Sequence, residues 1–153
     1  MYLSLFMQTE IIAPKHIQVL LQLAGLAQVM LAIGSLAIPR LLNWEAELLK
    51  TSKLIKQMFW TYAGYILVIN ICFGLLSFFC YQDLVNGSRL AMVVNGFIDA
   101  YWISRVAIQF LYFDRIAFPQ GKLYLAGEVV LVLVFILLSC VYTCAFVYNA
   151  FGL

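Results

Sequence analysis

Asp99 and Arg105 stand inside a stretch, residues 88–113, that is otherwise apolar enough to cross a bilayer. An ionisable group at mid-bilayer costs at least about 2.5–3.5 kcal/mol on insertion scales, so such groups turn toward protein or water and mark sites of proton, ion or ligand handling. On a helix that advances about 100° per residue, with Asn95 at zero, Asp99 falls near about +40°, Trp102 near −20°, Gln109 near −40° and Arg105 near −80°. One arc therefore gathers the strongly polar side chains of the segment. Gly96, Ala100, Ser104 and Ala107 fall on the neighbouring arc, the small-xxx-small pattern that lets two helices approach closely. Asp99 and Arg105 are six residues apart, about 9 Å along the axis and about 120° around it, so they are not a ready ion pair. Their partners must come from other helices. Counting depth at about 1.5 Å per residue predicts two polar layers. Asp99, Asn95, Asn70 and Gln22 form the one near the midplane, and Arg105, Glu128, Tyr65 and Gln109 the one nearer the cytoplasm. The candidate binding set is thus Asn70, Asn95, Asp99, Trp102, Arg105, Gln109, Glu128 and Tyr65.

Other chemistries lack their residues. The single histidine, His16, lies at a membrane edge, which excludes bis-histidine haem ligation within one chain and leaves no set for zinc or di-iron. Cys72, Cys80, Cys140 and Cys144 contain no C-x-x-C and read as small buried hydrophobes. The alternative for two of them is a Cys80–Cys144 disulfide near the outer surface. No phosphate-cradling glycine loop, nucleophile elbow, zinc-protease motif or nucleotide fingerprint occurs. The expectation is a chain with no catalytic residues, metal or cofactor.

The elements that must position these groups follow from composition. Of 153 residues 65% are hydrophobic and 10% charged, with a mean hydropathy of +1.00, so the chain has too little polar surface to cover itself in water. A net charge of +2, dispersed along the sequence, provides no nucleic-acid footprint. A bilayer core of about 30 Å needs about 20 helical residues. Charge-free runs then predict an all-α polytopic membrane protein: a four-transmembrane-helix antiparallel bundle with short loops, forming a single domain over 1–153. Its helices lie at about 15–38, 57–82, 88–113 and 123–150. Pro14, Pro39, Asn86-Gly87-Ser88 and Pro119-Gln120-Gly121 punctuate the ends. Residues of about 43–50, with Glu45 and Glu47 early and Lys50 late, read as an interfacial helix. The stripes Ala24, Gln28, Ala32, Ser35 and Asn70, Gly74, Ser77 read as packing seams, and Phe59-Trp60-Thr61-Tyr62 as an aromatic belt. Arg40, Lys50, Lys53 and Lys56 in one connection, with Arg115 and Lys122 in another, place both loops in the cytoplasm and both termini outside. A cleaved signal peptide is the competing reading of the first span, but residues 1–14 carry no Lys or Arg and the apolar run is too long.

The stretches Ala37-Ile38-Pro39-Arg40, Phe59-Trp60-Thr61-Tyr62-Ala63-Gly64-Tyr65 and Arg105-x-x-x-Gln109-x-x-Tyr112-x-Asp114-Arg115 resemble those of small four-helix bacterial membrane proteins, a group with no assigned activity. A looser similarity to DoxX-type proteins rests on span count and the small residues of the first helix. The resemblance implies a bacterial cytoplasmic-membrane protein. Three function classes remain open. The first is an accessory or assembly component that packs against itself or a larger membrane complex. The second is a small transporter or channel subunit using Asp99 and Arg105. The third is a lipid- or quinone-binding protein using Trp102, Tyr65 and the Arg105 layer.

Overall fold

The computed structural model describes residues 14–112 and 121–152. The Pro119-Gln120 break, the Asp114-Arg115 part of the third motif and the outer placement of residues 1–13 lie outside the described residues. Those described are helical, with no strand among them. Helix α1 is Pro14–Ser35, α2 Ile38–Leu41, α3 Trp44–Leu48, α4 Lys53–Phe79, α5 Arg89–Leu111 and α6 Lys122–Phe151. A 3₁₀ turn, Asp83–Val85, lies between α4 and α5.

Two serines fix helix starts. Ser52 Oγ accepts from the Ile55 amide at 3.4 Å and opens α4, and Ser88 Oγ accepts from the Ala91 amide at 3.1 Å and opens α5. The start of α4 at Lys53 is earlier than the charge-free run indicates, because lysines at a membrane edge end the hydrocarbon depth without ending the helix. The short helix expected at about 43–50 is present as α3, Trp44–Leu48, but a further short helix, α2, precedes it where the first span was expected to end. Pro39 sits in the first turn of α2, and Asn43 takes the left-handed conformation (φ 49°) between α2 and α3, so its side chain does not cap α3. Trp44, which begins α3, meets Phe59 edge-on at 4.8 Å between ring centroids and Trp60 at 6.1 Å, joining this segment to the start of α4.

Three segments are long and apolar enough to cross a membrane: Lys15–Leu41, Lys53–Phe79 and Tyr124–Phe151. Their outer faces carry Leu23, Met30, Ile33, Val68, Phe79, Leu133 and Leu137, all exposed, a coat that suits hydrocarbon rather than water. These features point to a membrane protein. Helix α5, at 23 residues, has the length of a span but carries Asp99, Arg105, Asn95 and Gln109, and it is not among the three.

The long helices pack most extensively as α1 with α4 and α5 with α6, and α1 also packs on α6. The closest approach is between α1 and α4, at Gly25 and Gly74. A Cβ added at Gly25 would lie 2.6 Å from the Gly74 carbonyl oxygen and 2.7 Å from the Phe78 nitrogen. Only glycine permits that contact. The core between the pairs holds Leu21, Ile98, Trp102, Leu138, Tyr142 and Ala145. Between α4 and α5 the backbones stay apart and side chains span the gap.

Candidate functional site

Four fully buried polar side chains meet in the core, one from each long helix: Gln28 (α1), Ser77 (α4), Trp102 (α5) and Tyr142 (α6). Gln28 Nε2 donates to the Tyr142 hydroxyl, which shares a second hydrogen bond with Ser77 Oγ, and Trp102 Nε1 donates to Gln28 Oε1 at 3.2 Å. Gln28 Nε2 also reaches the Ala24 carbonyl at 3.3 Å. Each group is buried and bonded, which stabilises one arrangement of the four helices over others. Of the four, only Trp102 stood out as a candidate site residue in the sequence. Gln28 and Ser77 appeared as parts of packing stripes, and Tyr142 carried no signal, because within-helix spacing does not reveal which faces meet.

A second cluster ties the α4–α5 connection to the helices. Asn95 Nδ2 donates to the carbonyls of Leu84 (2.7 Å) and Ala91 (2.8 Å). Asn149 Nδ2 donates to the same Leu84 oxygen (2.7 Å) and to Ala145 (2.7 Å), while Asn149 Oδ1 accepts from the Gly87 amide (2.9 Å). Two asparagines from α5 and α6 thus clamp the 3₁₀ turn. Asn95 Oδ1 is buried and has no hydrogen-bond partner among the described residues.

The remaining candidates part company. Asp99, 9% exposed, turns toward α6, where Thr143 Oγ1 lies 3.0 Å from both carboxylate oxygens. Arg105 turns the other way. Its Nε and Nη2 donate to the Tyr101 hydroxyl at 3.3 and 2.9 Å, and its guanidinium carbon sits 5.3 Å from the Tyr101 ring centroid. The same hydroxyl donates to Asn70 Oδ1 on α4 at 2.9 Å, giving a chain Arg105–Tyr101–Asn70 across the α4–α5 gap. Gln109 Nε2 donates to Glu128 Oε1 at 3.2 Å, joining α5 to α6. The two polar layers inferred from depth are therefore assembled only in part. Gln109 and Glu128 of the inner layer bond to each other, but Arg105 bonds to Tyr101 instead, Asp99, Asn95 and Asn70 have separate partners, and Gln22 makes none of these contacts. Tyr65, 62% exposed, faces outward and joins no layer. An arc of about 120° on α5 is wide enough to address three neighbours at once, so shared arc did not mean shared site. Tyr101, in the middle of α5 at about −120° on the same wheel, falls just outside the arc of strongly polar side chains, so its spacing gave no sign of its bonds to Arg105 and Asn70.

Above Tyr101 the gap between α4 and α5 forms an open groove of about 530 Å³ lined by Ile69, Phe73, Val94, Phe97, Ile98 and Tyr101. Its walls are apolar apart from the Tyr101 hydroxyl. The small-residue face of α5 is also open: Gly96 abuts Phe146, but Ala100, Ser104 and Ala107 are exposed. All four cysteines are free, so no disulfide links Cys80 to Cys144. Among the described residues no group of three or more His, Cys, Asp or Glu could hold a metal ion, and the one ion pair is Lys50–Glu47 at 3.0 Å. No family model, curated protein or solved structure matches the chain.

Proposed function

We propose that the chain is an integral membrane protein whose four long helices all cross the bilayer as an antiparallel bundle, with both termini on the outer face of a bacterial cytoplasmic membrane. Its function is that of an accessory or assembly component, which binds a protein partner or a second copy of itself within the membrane. The observation that carries this reading is the outward face of α5. Ala100, Ser104 and Ala107 lie exposed on the least apolar of the long helices, opposite its core-facing residues Asn95, Ile98 and Trp102. Small side chains give little favourable contact with acyl chains but allow a second helix to come close. A partner helix on this face would also complete the shielding of α5, which its own hydropathy does not provide.

The test is crosslinking in native membranes. In a variant with the four native cysteines replaced by alanine, Ala107→Cys should form a stoichiometric adduct with itself or with one other membrane protein, and Ser104→Leu should abolish that adduct while the protein remains in the membrane. A strictly monomeric protein with no adduct would overturn the reading. The groove between α4 and α5 favours the lipid-binding class as a second reading. The transport class draws on Asp99 and Arg105, and their separate partners on α6 and on the α4 side supply it with no shared path.

A further inference from the structure

The geometry points to an anionic phospholipid seated on the chain, with its acyl chain in the α4–α5 groove and its phosphate on Arg105. Tyr101 connects the two halves of this site. Its ring forms part of the groove wall and its hydroxyl accepts from Arg105, so cation and groove share one side chain. Arg105 is half-buried, and no carboxylate forms an ion pair with it among the described residues. Glu128 is engaged by Gln109 instead.

The spacing suits an amphiphile entering from the leaflet that holds the α5–α6 connection. Arg105 is six residues from Leu111, about 9 Å from the end of α5, a depth from which a guanidinium reaches the headgroup region by snorkelling. From Tyr101 to Val94 the groove runs about 10 Å further toward the opposite face. Phosphate is a strong hydrogen-bond partner for a guanidinium that already spends two donors on one hydroxyl. A flexible acyl chain fits the apolar walls of this groove, and the phosphate at its head meets the cation beside it. The inference rests on α5 crossing the bilayer, as proposed above, but not on partner docking, which uses the adjoining face of α5 that carries Ala100, Ser104 and Ala107.

The experiment uses the full chain with Trp44→Phe and Trp60→Phe, leaving Trp102, whose ring lies 5.2 Å from that of Tyr101, as reporter. The protein is reconstituted into phosphatidylcholine vesicles containing dibromo-acyl phosphatidylglycerol, or into the converse mixture with dibromo-acyl phosphatidylcholine, and Trp102 quenching is titrated. One basic side chain near the membrane surface favours anionic lipid by about fivefold. The brominated phosphatidylglycerol should therefore quench at about fivefold lower mole fraction, Arg105→Gln should remove the preference, and Arg105→Lys should keep it. Val94→Phe, which narrows the groove and keeps the charge, should weaken quenching by both lipids. If Arg105→Gln fails to fold, the Lys and Val94→Phe variants decide. Equal quenching by the two lipids would overturn the proposal, as would a preference that survives Arg105→Gln. So would absence of quenching with crosslinks between the α4 helices of two copies, which would assign the groove to a second chain.

Discussion

Tyr142→Phe deletes one oxygen and leaves two buried partners, Gln28 Nε2 and Ser77 Oγ, without the group that joined them. A buried polar group left unsatisfied costs about 1–3 kcal/mol, whereas a single interhelical hydrogen bond in a membrane protein averages about 0.6 kcal/mol. Reversible unfolding by steric trapping in bicelles should therefore register a loss of more than about 1 kcal/mol for this variant. A loss indistinguishable from zero would mean that the core reorganises around the gap. Asp99→Asn is expected to behave differently, since an amide oxygen can still accept from Thr143. Stability should change by no more than about 0.5 kcal/mol, and crosslinked association should be unchanged. A collapse of either would assign the carboxylate a role beyond its contact with α6. At this scale the sequence was informative about which α5 residues are unusual, because a charge in an apolar run is conspicuous. It was uninformative about their partners. Thr143 and Asn149 look like ordinary polar residues within the most apolar helix of the chain, and the Leu84 carbonyl that binds both Asn95 and Asn149 has no side-chain signature at all.

Helix positions were more legible than helix contacts. Apolar length is a property of one segment, so α1, α4 and α6 could be placed from the sequence, and Ser88 marked the start of α5. The connection between α1 and α4 was legible only in part: the segment around Trp44–Leu48 was expected to be helical, but α2 was not, because whether the chain turns at Ser35 and resumes at Ile38 depends on backbone angles that residue type only biases. The Gly25–Gly74 contact gives a prediction at this level. Gly25→Leu would drive a side chain into the backbone of α4, where the first added carbon already lies 2.6 Å from the Gly74 oxygen. The two helices must separate, at a cost of about 1–3 kcal/mol or more. Gly34→Ala meets nothing within 4 Å and should be neutral or stabilising by up to about 1 kcal/mol through helix propensity. Unfolding the two variants side by side tests the contact, and an equal response would deny that α1 and α4 touch there.

For the molecule as a whole, α5 decides the topology. With α5 across the bilayer the chain makes an even number of crossings and its ends share a side; with α5 lying on the surface they do not. Reporter fusions at both ends should report the same compartment, and opposite compartments would refute the proposed bundle. The core hydrogen bonds carry a further implication for how such a chain is made. Synthesis delivers Gln28 and Ser77 before Tyr142 exists, so the growing protein must carry two incomplete polar groups until α6 arrives. A chain stopped before Lys122 should therefore be removed by quality-control proteolysis rather than accumulate as a smaller stable protein.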